Sequence, residues 1–437
     1  MPQNNKPGRR LLRRLYGSWY RVRRNISAFA RWCLFAVIIG VVVGAVGAAF
    51  EHALEWATET RQEYSWTLYF LPLVGLFIAF WYSKMDMPLE RGTNFILTSV
   101  RQDHPVRLRL APSIFITSVL THLCGGSAGR EGAALQMGGS IGWNLGTLLR
   151  LKDHDRRTAT ISGMAAFFSA LFGTPLAAAC FAMMVEDVGL TFTSAFVPAF
   201  TSALIAYGCS LVFGIAPTHF ALTAPELNVR TALLVILLGV ACAAVSRLFC
   251  YTLHFMEHTV PKLLPNPWVR VFAGGVLVIG FSYLFGVGRY NGAGMSVIVA
   301  AVEQGQALPW DFLCKIFLTA LTLACGFKGG EVVPSFFVGA TFGCVVGPLL
   351  GLPAGFAAAV GLVSIFCGAT NALIPSILLA FELFSGAGLE LIALGCGICY
   401  MLSGHHGLYS SQTFVTNKLR SEYMSHKWRV KVKKAEE

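Results

Sequence analysis

Two glutamates lie where glutamate is rarely found. Glu131 sits in Gly129-Arg130-Glu131-Gly132-Ala133 and Glu331 in Gly329-Gly330-Glu331-Val332-Val333, each with long apolar segments on both sides. An ionisable side chain at that depth of a hydrophobic chain is costly, and by default it marks an ion or proton path. A carboxylate resembles a small anion in charge and in the donors it needs. Placed at an anion site, it occupies the anion's position and leaves when protonated. Glu131 therefore reads as a gate and proton carrier, and Glu331 as its counterpart in a second, similar stretch. The plainer alternatives are a helix-capping acid for Glu131 and a loop ion pair with Lys328 for Glu331.

An anion crossing a low-dielectric membrane needs donors that hold it without trapping it. Helix N-termini supply them, because the first four N–H groups have no intrahelical partner and the dipole adds roughly half a positive charge. The sequence predicts two such N-termini, at residues 130 to 134 and 330 to 334. Arg130, Gly132, Ala133 and Ala134 on one side, with Glu331, Val332 and Val333 on the other, are the candidate cradle.

The elements that must position these residues are membrane helices. The chain of 437 residues is 55% hydrophobic and only 13% charged, with mean hydropathy +0.61, which excludes a set of ordinary soluble domains. Its net charge of +12 is concentrated at the ends, nine Lys or Arg and no acid in residues 1–31, and seven bases with three acids in residues 411–437. Two basic ends around a nearly neutral apolar body suit cytoplasmic termini beside anionic lipid, and no nucleic-acid module accompanies them. The long basic lead before Cys33 reads as the flank of an uncleaved first span.

Twelve cysteines are scattered through apolar segments, and the isolated Cys396/Cys399 pair lacks a second pair to complete a metal site. No metal or organic cofactor is expected. Gly125-Gly126-Ser127-Ala128-Gly129 fits the G-x-S-x-G pattern of hydrolases, but that motif needs a preceding strand and here follows an apolar, helical segment.

The expected organisation is a basic N-terminal segment (1–32), an all-α polytopic membrane domain (33–410) and a short basic tail (411–437). Spans are predicted at about 33–50 and 66–82, followed by a basic loop carrying Lys84, Arg101, Arg107 and Arg109. Segments 111–124 and 312–325 are too short to cross, and each ends in a glycine-rich break, the pattern of discontinuous helices at a midplane ion site. Continuous apolar stretches are read at 160–185, 191–214, 233–255, 271–285, 355–384 and 389–402. A shift of 201 residues carries Cys124 to Cys325, Gly125 to Gly326 and Gly129 to Gly330. The sequence thus predicts two inverted halves, about 33–215 and 230–410.

The run Gly129-Arg130-Glu131-Gly132 followed by Gln136, together with Gly330-Glu331-Val332-Val333-Pro334 and Tyr409 after the last apolar segment, resembles the CLC chloride channels and proton-coupled anion antiporters. The resemblance spans nearly the whole chain. It implies many short, tilted helices in two inverted repeats, a homodimer with a pore in each subunit, and Glu131 as the external gating glutamate. It also implies that Thr93, Asn94, Phe95 and Tyr409 line the inner approach.

Two departures narrow the reading. Gly92-Thr93-Asn94-Phe95-Ile96 stands where chloride-type members carry G-S-G-I-P, and the place of their inner proton glutamate falls on Val185, with Glu186 one step on. An acid in the second motif is similar to the fluoride-exporting branch of bacterial CLC antiporters, although Val333 stands where that branch would supply a threonine hydroxyl. The expected function is fluoride export in exchange for protons across a bacterial inner membrane, with a chloride/proton antiporter or passive chloride channel of the same family as the alternative.

Overall fold

Apolar runs broken by Gly and Pro dictate short helices, and the computed structural model is built from them. It describes residues 7–87, 92–102, 104–189, 192–415 and 417–419. The first half contains α1 (Pro7–Glu63), α2 (Leu71–Lys84), α3 (Thr93–Gln102), α4 (Leu110–Leu123), α5 (Glu131–Leu148), α6 (Asp153–Phe172), α7 (Pro175–Met184) and α8 (Phe196–Val212). The second contains α9 (Val229–Leu263), α10 (Pro267–Phe285), α11 (Met295–Glu303), α12 (Asp311–Ala324), α13 (Val332–Leu350), α14 (Ala354–Thr370), α15 (Leu373–Leu383) and α16 (Leu389–Leu402). Among the described residues six helical segments are long and apolar enough to cross a membrane. A two-residue parallel pairing of Asp187–Val188 with Thr413–Phe414 ties the end of α7 to the chain after α16.

The shift of 201 residues seen in the sequence is a structural repeat. It carries Leu110 to Asp311 and Leu123 to Ala324, the bounds of α4 and α12, and Glu131 to Val332, where α5 and α13 begin. Gly125 and Gly326, equivalent under the same shift, both adopt positive φ (+78° and +105°) where the helices end, a conformation that glycine reaches without steric cost. Each broken segment then packs closely on its successor. A side chain at Gly138 or Gly142 of α5 would strike the backbone of α6 at Gly163 or Ala159, and one at Gly339 or Gly343 of α13 would strike α14 at Gly361 or Ala357. Small residues let the helix axes approach, which is how helices associate where lipid is as apolar as leucine.

Several expected segments are corrected. The stretch read as continuous over 160–185 is two helices, because Gly173 (φ +70°) ends α6 and Pro175 opens α7. That read over 355–384 breaks likewise at Asn371 (φ +57°), between α14 and α15. The basic loop after α2 contains α3, and α11 was not foreseen. The helix expected to start near Cys33 begins at Pro7, so part of the basic N-terminal segment is helical. The basic tail after Leu419 lies outside the described residues.

Candidate functional site

The two broken segments meet through their glycines. Gly129 N–H donates to the Gly330 carbonyl at 2.6 Å and Gly330 N–H to the Gly129 carbonyl at 2.7 Å, an isolated antiparallel bridge. It pairs the two residues related by the 201-residue shift, so it lies on the local pseudo-twofold axis. The bridge brings the N-termini of α5 and α13 together. A Cβ at Gly330 would fall on the Gly132 amide, and only glycine permits this approach.

Glu131 is fully buried, and its carboxylate leaves its own helix for the other half. Oε2 accepts hydrogen bonds from the Val333 N–H of α13 at 3.0 Å and from the Arg130 N–H at 3.1 Å. A carboxylate oxygen thus lies on a buried amide of α13's first turn that makes no intrahelical bond, the kind of donor that a small anion takes. Oε1 has no hydrogen-bond partner and lies 3.7 Å from Arg130 Nε.

The cradle is narrower than the sequence implied. Ala134 N–H donates to the Arg130 carbonyl at 2.9 Å and Ser335 N–H to the Glu331 carbonyl at 3.2 Å, so these amides are spent within helical turns. Gly132 and Ala133 on α5, with Val332 and Val333 on α13, are the amides that precede the first turn's bonds. The Arg130 guanidinium turns away toward carboxylates, pairing with Glu51 of α1 and lying 5.4 Å from the Phe172 ring centre. Glu51 is 4% exposed, and its Oε2 has no partner. Sequence reasoning missed this role, because Glu51 heads the series Glu51, Glu55, Glu59, Glu63 and looks like the first acid of a solvated face.

Glu331 is placed differently. It lines a cavity of about 430 Å³ together with Thr93, Asn94, Gln136, Glu257, Arg270 and Lys328. Lys328 does not pair with it but lies over the Tyr82 ring at 4.5 Å. Among the described residues no cation stands within ion-pair distance of Glu331.

Thr93 and Asn94 open α3 beside this cavity. Gln136 Nε2 donates to the Gly132 carbonyl at 3.0 Å and reaches Thr93 Oγ1 at 3.4 Å, joining α5 to α3. Asn94 Oδ1 accepts from the Ser411 N–H and hydroxyl at 3.1 and 2.9 Å. Phe95 packs against the core rather than lining the cavity. Tyr409 is 2% exposed between the cavity-lining Leu408 and Ser410, with its hydroxyl buried and unpartnered.

The remaining motifs fall elsewhere. Val185 is buried and its carbonyl accepts from Gln412 Nε2 at 2.8 Å, while Glu186 pairs with Arg157 at 3.0 Å. The Ser127 hydroxyl, in the break after α4, lies 3.2 Å from that of Thr319 on α12. Cys396 and Cys399 are buried, free thiols.

This architecture, two inverted repeats joined over a buried glutamate, is that of a CLC-type membrane protein, and comparison with known proteins agrees. Residues 74–404 match the family model described as voltage gated chloride channel. The chain is 34% identical over 332 residues to a chloride/fluoride channel protein of Pseudomonas syringae pv. tomato, covering 74% of this chain and 73% of that one. It is 27% identical over 339 residues to the H(+)/Cl(-) exchange transporter ClcA of Vibrio cholerae, covering 71% of each. Among solved structures, a CLC-type fluoride/proton antiporter aligns with a TM-score of 0.85 at 32% identity, covering 88% of this chain and 98% of that one. A slow cyanobacterial Cl-/H+ antiporter shares the fold, with a TM-score of 0.74 at 19% identity over 85% of this chain and 94% of that one. The chain belongs to the CLC family of chloride channels and anion transporters, with the all-α, inverted-repeat fold expected from its sequence.

Proposed function

We propose that this protein exports fluoride across a bacterial inner membrane in exchange for protons, with Glu131 as the shared element of both movements. The observation that carries the reading is the Glu131 carboxylate on the Val333 amide of the opposite half. A carboxylate there blocks the path of an anion. Protonation removes the charge that competes with it, and an incoming anion takes over the amides of Gly132, Ala133, Val332 and Val333. Hydrogen bonds from neutral donors to a charged acceptor contribute about 1.5–3 kcal/mol each, enough to hold the side chain closed yet let an anion displace it.

Fluoride is favoured over chloride by the second motif. Glu331 is the acid open to the cavity, whereas the place where chloride-type antiporters carry their inner proton glutamate is the apolar, buried Val185. Thr93, Asn94 and Tyr409 would guide the anion from the cavity to the cradle, the Asn94 amide oriented by Ser411 and the Tyr409 hydroxyl free to donate. The end of the molecule bearing Lys84, Arg101, Arg107, Arg109 and Lys152 is assigned to the cytoplasm by the excess of basic residues. Both termini are placed on that side. Homodimerisation is carried with this reading on family likeness alone.

The alternative, chloride/proton exchange, draws on the 27% identity to the Vibrio cholerae transporter. Proteoliposomes loaded with equal fluoride and chloride, followed with ion-selective electrodes and a pH probe, separate the two. Fluoride leaving ahead of chloride with proton uptake, lost in Glu131→Gln, supports the proposal. Equal chloride efflux, or flux indifferent to the proton gradient, overturns it.

A further inference from the structure

The proposed exchange carries protons inward against outward fluoride, so protons must leave Glu331 for the cytoplasm, and the residues so far described do not provide the way out. Val185 is apolar and buried, and Glu186 is held by Arg157. The cavity below Glu331 contains a second carboxylate, Glu257, on the α9 face formed by Leu253, Glu257 and Pro261. We propose that Glu257 is the cytoplasmic proton station of this antiporter, taking protons from Glu331 across the cavity and releasing them to solution; the inference rests on the proposed proton-coupled function.

Three observations support the assignment. Glu257 is half exposed, its side chain at 51%, while Glu331 lies deeper on the same cavity wall. The cavity's 430 Å³ far exceeds the about 10–15 Å³ one water needs, so a hydrogen-bonded water chain between the two carboxylates is sterically allowed. His254, one turn earlier on α9, directs Nε2–H to the Gly407 carbonyl at 2.7 Å. That bond sets the tautomer and leaves Nδ1 on the Glu257 side, 3.6 Å from Oε2, where it can take up a proton and return it.

The charges facing Glu257 and Glu331 come from several elements. On α9 it is His254 that lies beside Glu257, while His258 and Lys262, within 2.7 Å of each other, are on the same helix outside the cavity lining. Arg270 of α10 and Lys328 of the second break line the same cavity. Glu131 faces Glu331 from α5, and Asp311 and Lys315 of α12 lie at the opposite end of that helix from the cavity. A carboxylate on this wall serves proton release, whereas toward the fluoride that reaches the cradle through the same cavity it only repels.

That opposition of signs makes the proposal testable. Purified Glu257→Gln, Glu257→Asp and wild type are reconstituted, and initial fluoride efflux and proton uptake are followed between pH 5.5 and 8, with fluoride affinity measured calorimetrically as a check on the fold. A proton station predicts that Glu257→Gln slows coupled transport at least about tenfold, less than the 10²–10⁴-fold typical of a proton-transferring group at the reacting centre itself. The deficit should widen toward acidic pH on the releasing side, where solution takes protons from Glu331 least readily. The proton-to-fluoride ratio and fluoride affinity should stay unchanged, and Glu257→Asp should recover most of the rate. Transport by Glu257→Gln at the wild-type rate or faster, with the same pH profile, overturns the proposal and makes Glu257 a purely electrostatic wall residue. A wild type that moves fluoride without protons overturns the underlying function, and the proposal with it.

Discussion

Glu131 and Glu331 occupy matching places in the two halves, yet their surroundings differ in kind. Glu131 is sealed, bonded to two amides and flanked by an arginine already paired with Glu51. Glu331 faces a cavity with no cation within ion-pair distance among the described residues. Symmetry of the backbone is therefore compatible with asymmetry of access: one acid is sealed against the amides of the opposite half while the other lines a cavity, which under the proposed exchange makes the first a plug and the second the acid open to solution. A two-gated exchanger needs this division, because a path open at both ends would leak.

The comparison breaks most severely at its axis. In Gly330→Ala the added methyl group meets the Gly132 amide, and the bridge to Gly129 must open. Overpacking costs about 1–3 kcal/mol where side chains can give way, and the cost here exceeds that range because the obstacle is backbone that cannot rotate away. Size-exclusion chromatography and flux assays should find aggregated protein, or folded protein with no transport. Gly132→Ala, whose methyl would lie 3.0 to 3.2 Å from Gly330 Cα, Thr93 Oγ1 and Glu331 Oε2, should fold and run more slowly.

Glu51→Gln should have the next largest effect. Removing one member of a buried ion pair costs about 3–5 kcal/mol when the other charge is stranded. Arg130 keeps Glu131 nearby, so the loss should fall at the lower end of that range, visible as a lower Tm in detergent. Transport should fall as well, because an Arg130 without Glu51 turns its full charge on Glu131 and holds the gate ionised. Maximal flux should then require more acidic solution, and a pH profile identical to wild type would show that the pair is only structural.

Gln136→Leu removes the link between α5 and Thr93 and should cost about 1 kcal/mol, the worth of an ordinary hydrogen bond. Its signature should be weaker fluoride binding with proton coupling retained, read by calorimetry. The smallest expected effect is Val333→Thr, which adds a hydroxyl beside the amide that Glu131 occupies. It should shift efflux toward fluoride over chloride about fivefold, roughly 1 kcal/mol, as measured with paired ion-selective electrodes.

The legible parts of this structure are those with local signals. Acids inside apolar runs pointed to Glu131 and Glu331, and the 201-residue shift singled out Gly129 and Gly330, the pair that forms the bridge. The breaks at Gly173 and Asn371 were hidden because the flanking segments are uniformly apolar, and α3 because a ten-residue amphipathic stretch among basic residues reads as a loop beside long apolar spans. Glu51 was illegible for a different reason. Its partner lies 79 residues away in sequence, and no local pattern distinguishes an acid turned inward from its neighbours at i+4 and i+8. Ala134 was placed in the cradle because the sequence does not say where a helix's first internal bond falls.

The glycine bridge also bears on how the molecule moves. Its two hydrogen bonds fasten the breaks of the two halves to one another at the point where a rocking transporter would have to part. Under the proposed exchange, access then alternates through side-chain swings about a backbone that the bridge holds still. A transporter of that design has little mass to reposition in each cycle, and staples joining its halves away from the site would leave its turnover intact.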